Sequence, residues 1–460
     1  MHKFYPRISQ WALVVFAILT TVGLQAQEVI NHDDPPAPDN EFTIDTKLKT
    51  RGELRIGGFY DQDPENDNNR RAQFIMGQYR LNFGYKRSDW LEIRLSPQFS
   101  GVWGQAGGTL SLAEGWLTMK HTKTGLFTKI GRQCIEYDDE RILGYDDWTM
   151  TAPTHDAIKL GYEGYGHKVH VLLAYNQNAE NAETGVDYYS DGIQPYKSMQ
   201  TLWYHYNTPK NFFGISLLGM NIGMQSKNTQ HLDKTYYQQL FGTYVTLNPS
   251  IVALEGAFYY QMGKEEHGMT LDAYMGSVKA TVTPSNMYNL YVGYDYLSGD
   301  NFPVTVNGNL GLIFHDKARG FSPLFGSHHE FYGAMDFFYL DSYVHNFSPG
   351  LQNLYVGGNV SPVTGLKLNA AYHFYGISAD VRYKDGYLKK ALGHEVEFNI
   401  GYTFAKFVTV ELGYTYMQGT ETMVILQRSD DYRRLHWGWL MLSVNPTIFT
   451  YAWNDKKKGN

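Results

Sequence analysis

From residue 45 the chain settles into strict alternation. Asp45, Lys47, Lys49, Arg51, Glu53 and Arg55 put a charge at every odd position, while Thr46, Leu48, Thr50, Gly52, Leu54 and Ile56 carry none between them. A period of two is that of a strand with one wet and one dry face. The pattern returns with Tyr79, Leu81, Phe83 and Tyr85 set against Gln78, Arg80, Asn82 and Lys86, and with Leu91, Ile93 and Leu95 set against Glu92, Arg94 and Ser96. Later rows are Tyr288 to Tyr296, Leu366 to Phe374, Val396 to Phe404 and Val408 to Tyr416. Runs of about ten residues ending in Tyr, Trp or Phe suit strands that cross a membrane with an apolar band outside and aromatic girdles at both rims.

Connection lengths test this reading independently, because outer-membrane barrels have short periplasmic turns and long outer loops. Short turns fall at 86–89, 121–125, 164–167, 207–211, 248–250, 284–286, 361–365 and 404–406. Longer or polar loops lie near 61–71, 104–109, 138–154, 177–197, 225–234, 263–268, 298–350, 377–392 and 419–434. Eight turns and nine loops give seventeen connections and so about 18 strands, with both termini periplasmic. The count treats 298–350 as one excursion that lies at the outer mouth and folds partly into it, and His329 to Leu340 as loop rather than a spanning strand. The fold class expected is all-β, a transmembrane antiparallel barrel.

Composition narrows the alternatives. Of the 460 residues only 18% are charged, against roughly 25% in an ordinary soluble domain. The 43% that are hydrophobic exclude a disordered chain. No apolar run approaches the length of about 18 residues that a membrane helix needs. Residues 1–26 read as a cleavable secretory signal peptide, with Lys3 and Arg7 preceding the apolar stretch Trp11 to Leu19 and small residues before Gln27. Removing Lys3 and Arg7 takes the formal charge from -7 to -9. Residues 27–41 read as a flexible leader, 42–453 as the barrel and 454–460 as a polar tail. Cys134 is the one cysteine, so no intrachain disulfide can form.

The odd-numbered charges of the first strand, Lys47, Lys49, Arg51 and Arg55, would face the lumen, joined by Arg80, Lys86 and Arg94 on neighbouring strands and by Arg132 and Lys159. Guanidinium groups suit a carboxylate because the planar fork donates to two oxygens and stays charged. Two readings remain open. The cations line an anion path, or they brace the wall through salt bridges to Glu411, Glu395 and Glu397, which closure would bring near the first strand. The loop 138–154 mixes Asp138, Asp139, Glu140, Arg141, Asp146, Asp147 and Trp148. It is expected to tuck toward the lumen, with Arg141 paired to one of its acids and Trp148 packed beneath the rim. Asp139, Asp146, Trp148, His155 and Asp156 are then the constriction residues.

Catalysis is weakly supported. His155-Asp156, His315-Asp316 and His328-His329-Glu330 offer acid and base, with Ser327 alongside, but neighbours on an extended chain point to opposite faces and no Gly-x-Ser-x-Gly elbow occurs. The acids Asp61, Asp63, Glu65 and Asp67 alternate as in a calcium loop, yet Pro64 interrupts them and Ala72 stands where the closing glutamate should be. These and the acids of 138–147 read as solvated loop carboxylates, with neither metal nor cofactor expected.

Two blocks carry a family resemblance. Ile130-Gly131-Arg132-Gln133, Tyr137 to Gly144, Asp147-Trp148 and Thr154 to Leu160 form the first. Tyr294 to Asp300 and Phe321 to Asp336 form the second. Together they resemble the alginate export family of outer-membrane barrels, with weaker strand-level similarity over roughly 44–451. The resemblance implies an 18-stranded barrel whose pore, narrowed by inward loops, carries an arginine-rich path for an anionic uronate polymer. The chain departs from the usual barrel ending, closing on Asp455 to Asn460 instead of an aromatic, which places the last strand within His436 to Trp453. The function expected is passive passage of anionic polysaccharide or oligosaccharide across the bacterial outer membrane, with membrane lipid as the surrounding partner and no nucleic acid. A general porin and a plugged structural or adhesion barrel are the other classes the pattern allows.

Overall fold

The computed structural model describes residues 38–57, 71–146, 148–151, 153–178, 189, 194–227, 231–300, 317–338, 348–427 and 433–455. The signal peptide, most of the leader, the acidic stretch 61–69, Asp147 and His315-Asp316 lie outside them.

Alternation of the kind seen at residues 45–56 becomes a closed wall. Its strands are β1 (Asn40–Ile56), β2 (Arg71–Arg87), β3 (Leu91–Val102), β4 (Thr109–His121), β5 (Leu126–Gln133), β6 (His155–Gly164), β7 (His167–Tyr175), β8 (Ser198–Asn207) and β9 (Phe213–Gln225). They continue as β10 (Thr235–Leu247), β11 (Val252–Lys264), β12 (Thr270–Ser285), β13 (Tyr288–Leu297), β14 (Leu351–Val360), β15 (Leu366–Gly376), β16 (Ala391–Ala405) and β17 (Val408–Gly419). The last, β18, runs Arg434–Val444 and resumes as Thr447–Trp453, both pieces pairing antiparallel with β1. That pairing leaves the wall no open edge, which is how a membrane barrel satisfies its backbone. The interruption falls at Pro446, which has no N–H to give the ladder; its carbonyl instead accepts the Thr46 N–H at 3.0 Å. The chain therefore forms the 18-stranded antiparallel barrel that the turn parity requires.

The dry row of each strand faces outward. Leu95, Leu160, Leu202, Val278, Leu290 and Leu440 are exposed on the wall, and no helix among the described residues is long and apolar enough to span a membrane. Trp90, Tyr165, Phe212, Tyr288 and Phe407 ring the short-turn rim, with Trp103, Tyr175 and Tyr237 at the other. This apolar band between aromatic girdles is the exterior of a bacterial outer-membrane protein.

Two departures from pure β structure sit at the outer mouth. A short helix, α1 (Glu421–Gln427), buries Met423 and Leu426, and Thr422 Oγ1 donates to the Lys389 carbonyl at 2.8 Å. Residues 328–330, within the stretch read as loop, form a single 3-10 turn.

Candidate functional site

Two segments leave the wall and fill part of the lumen. The first insert, residues 134–154, joins β5 to β6, and the second, the described residues 317–338, belongs to the connection between β13 and β14. Their apolar residues Ile135, Ile142, Leu143, Phe321, Tyr332 and Phe338 are almost wholly buried. Backbone bonds zip them together: Gly144 N–H to the Phe325 carbonyl at 3.0 Å, Phe325 N–H to Ile142 at 3.1 Å and Ser327 N–H to Glu140 at 2.8 Å. A buried backbone group needs such a partner.

The first-strand cations hold this insert instead of facing open water. Lys47 Nζ and Arg80 donate to the Tyr145 hydroxyl at 3.2 and 2.9 Å, and Arg51 donates to the Trp148 carbonyl at 2.6 Å while its guanidinium stacks 3.7 Å from the Trp148 ring. Lys49, Arg51 and Arg80 are consequently buried, which corrects their assignment to an exposed anion path. Glu53, from the same row, takes both Arg51 at 2.8 Å and Arg55 at 2.6 Å. Glu395 and Glu397 do not brace β1. They accept the Met335 and Ala334 N–H groups at 3.4 and 2.8 Å and anchor the second insert. Two strands, β17 and β18, separate their strand from β1, so these two glutamates do not meet the charges of the first strand.

Arg141 is the centre of the packing. It contacts Asp139 at 3.1 Å, Asp295 of β13 at 3.2 Å and the Tyr332 hydroxyl at 3.2 Å, under the Phe331 ring at 4.1 Å. Burial works against its charge, but Asp295, Tyr332 and Asp139 outweigh that and hold its pKa above the ordinary range. Beyond Asp295 the contacts continue through Asn353 at 2.9 Å and His373 at 2.9 Å to Glu397 at 3.3 Å, linking the anchors of both inserts. Trp148 stacks on His329 at 4.0 Å and meets Trp437 and Trp439 edge-on. The described acids are therefore not solvated: Asp146 accepts the Trp148 N–H at 3.1 Å, and Glu140 accepts that of Tyr145 at 2.8 Å.

Asp138 accepts from Trp203 Nε1 at 3.1 Å, and burial lifts its pKa from 3.8 to about 6 against the pull of hydrogen bonds from Ser216 and Trp203. An acid that binds its proton more tightly when folded contributes stability fully present below 3.8 and lost as the pH rises through about 6. The insert should accordingly resist protease better at pH 5 than at pH 7. Asp138→Asn, which keeps the acceptor oxygen, should remove that difference.

Arg132 and Asp156 require a further correction. They form a two-point ion pair, Nε to Oδ1 and Nη2 to Oδ2 both at 2.8 Å, on the row that also carries the exposed Ile130 and Ile158. Their row is the outer one, yet Arg132 still borders a cavity beside Gln98 and Asp146, where Asp156 neutralises it. His155 is no loop residue either. It opens β6, wholly buried, with Nδ1 2.7 Å from the Tyr196 hydroxyl. Arg132→Gln should change ion selectivity in planar bilayers only slightly, since a half-exposed cation already paired to Asp156 acts weakly at the pore.

Toward the short-turn rim the lumen is lined by another set. Lys129 of β5 and Lys159 of β6 are direct register partners, both on the inward row. Lys129 Nζ lies 3.8 Å from the Trp116 ring centroid and Lys159 Nζ 5.1 Å from that of Tyr137. Neither forms an ion pair with a carboxylate among the described residues. Arg94 is also inward, 3.6 Å from Glu114. Lys129 was missed beside Arg132, although its spacing from Gly131 and Gln133 already set it on the opposite face. Between the inserts and the β3–β4 wall lies a cavity of about 450 Å³, lined by Gln98, Ser111, Asp146, Thr149 and His328 among others.

No family model and no curated protein matches the chain. Solved structures do. It is similar to OccK9 (OpdG) of Pseudomonas aeruginosa, at 11% identity and a TM-score of 0.58, over 88% of this chain and 98% of that one. It is also similar to the outer membrane protein OpdK of the same organism, crystallised with vanillate, at 12% identity and 0.56, over 89% and 99%. A third is OccK2 (OpdF) in complex with glucuronate, at 13% and 0.56, over 89% and 98%. The likeness is one of fold, to outer-membrane barrels, and does not single out the alginate export family.

Proposed function

We propose that the protein is a passive outer-membrane channel for small anionic molecules, uronates among them. The observation that carries this is the Lys129–Lys159 pair. Like charges directly opposed on adjacent strands destabilise a sheet, so two ammonium groups side by side on the lumenal row, held by aromatic faces instead of carboxylates, are best explained by an anion that passes between them and the facing wall. Arg94 widens the same positive field, and such a field acts locally whatever the net charge of the chain. The glucuronate and vanillate held by two structures of the same fold are small carboxylates of the size that this lumen, narrowed by its inserts, would accommodate. An alginate-like uronate chain is the polymeric extension of this reading and needs the inserts to move aside.

The inserts themselves favour a second reading, a plugged barrel with a structural role. Swelling of liposomes that contain the refolded protein separates the two. Sodium glucuronate should enter faster than glucosamine hydrochloride of similar size, whereas a sealed barrel admits neither.

A further inference from the structure

One stretch of lumenal wall carries a row of amides. Asn289 of β13, Asn359 of β14, Asn369 of β15 and Asn399 of β16 are register partners in turn, at one level across four consecutive strands. Their amides form a single directed chain. Asn399 Nδ2 donates to Asn369 Oδ1 at 3.4 Å, Asn369 to Asn359 at 3.0 Å and Asn359 to Asn289 at 3.0 Å. Each step uses one N–H and one oxygen lone pair, so each rung keeps a spare acceptor site and Asn359 a spare N–H, whereas Asn369 turns its second N–H toward the Tyr291 hydroxyl and the Gly358 carbonyl. The Asn399 Oδ1 has no partner at all.

Directly above this ladder, on the same inward rows, lie two tyrosine rings pressed against glycines. A Cβ at Gly357 would collide with the Tyr291 ring, and one at Gly293 with that of Tyr355. The glycines thus make room for both rings, which stand 60° to one another with centroids 6.3 Å apart, Tyr355 stacking on His373 and Tyr291 standing nearer the ladder. Tyr291 also joins the ladder, accepting from Asn369 Nδ2 at 3.4 Å. Lys279 of β12 sits 5.5 Å from the Tyr291 ring centroid and 3.5 Å from Glu255.

A flat aromatic face beside a row of neutral donors and acceptors matches a pyranose. The sugar presents an apolar C–H face to a ring and a rim of hydroxyls, each able to donate and accept. We propose that Asn289, Asn359, Asn369 and Tyr291 form a hydroxyl-reading subsite for a pyranose ring. In a ring of eighteen strands β15 stands opposite β6, so this strip faces the wall of Lys159. A sugar acid would then meet hydroxyl partners on one side and ammonium groups on the other. The subsite depends on the channel reading only for what passes. The ladder lies close to the short-turn rim, and a sugar can reach it from there without crossing the barrel.

The test is equilibrium binding of maltotriose, a neutral glucose trimer, to the detergent-solubilised full chain by saturation-transfer NMR and calorimetry. Wild type should bind saturably. The Asn359→Ala/Asn369→Ala double variant should weaken binding about tenfold, the loss of one or two hydrogen bonds to an uncharged ligand, and Tyr291→Ala should do at least as much. Heat-modifiable gel mobility verifies that each variant is folded, and Asn359→Gln/Asn369→Gln, which keeps the amides, gives an intermediate affinity. Absent binding by wild type, or equal binding by the folded alanine variants, overturns the subsite. If maltotriose binds through the ladder while liposomes admit no glucuronate, the subsite stands and the channel reading falls. Glucuronate entry without maltotriose binding leaves the channel standing and removes the subsite.

Discussion

Arg141→Ala should undock the lumenal inserts without unfolding the barrel. The guanidinium is buried and serves Asp139, Asp295 and the Tyr332 hydroxyl at once. Its removal leaves Asp295, itself almost inaccessible, facing an emptied site. Breaking one side of a buried pair costs about 3–5 kcal/mol, because an uncompensated charge remains. The wall has its own backbone ladder, so that loss falls on the contacts between insert and wall. Chymotrypsin should cut within 134–154 in the variant and not in wild type, and single-channel conductance should rise and become noisier. Neutralising the partner as well, in Arg141→Ala/Asp295→Asn, should recover part of the protection. Wild-type conductance and protease resistance in Arg141→Ala would mean that the inserts are held by apolar packing alone.

Replacing both lysines, Lys129→Gln/Lys159→Gln, should reduce anion preference strongly while slightly stabilising the barrel. An ammonium about 4 Å from a passing anion attracts it by about 1 kcal/mol even at the dielectric of water, so losing two lowers local anion occupancy by roughly one to two orders of magnitude. Relief of the opposed like charges should add a few tenths of a kcal/mol to stability, within the range of cross-strand pairs. Reversal potential in a salt gradient and urea midpoints of the refolded protein check the two parts separately. If the lysines only braced the wall, the same double variant would lose stability and keep its selectivity.

The barrel was readable in the chain because its determinants are local. Alternation sets the face of each residue, and short turns punctuate the strands, so strand number follows from residues 45–56 and their repeats together with the turn parity. That 138–154 turns inward was legible too, since a mixed cluster of charges and Trp148 has little reason to sit in open solvent, and Asp139 is the one of the loop's own acids that meets Arg141; Asp295 and Tyr332, which share it, come from elsewhere in the chain. What failed was non-local. The partners of the first-strand cations were sought across the seam, at Glu395 and Glu397 among others, yet Glu53, in the same row, takes both Arg51 and Arg55. Where Glu395 and Glu397 fall depends on β17 and β18 intervening, and on Ala334 and Met335 reaching them from another loop. Arg132 borders the cavity but from the outer row, already paired to Asp156. It was placed by its nearness to the family-like block, although Ile130 shares its face and marks that face as the outer one. The asparagine ladder could not be read at all, because residues 289, 359, 369 and 399 become neighbours only through the registers of three strand pairings.

Reversal potential of the wild-type protein in a planar bilayer, with potassium chloride at unequal concentrations on the two sides, tests the central claim most directly. A lumen governed by Lys129, Lys159 and Arg94 predicts a potential of the sign for chloride over potassium, and a current reduced by added glucuronate. Cation preference, or the absence of any single-channel current from a folded barrel, would contradict it.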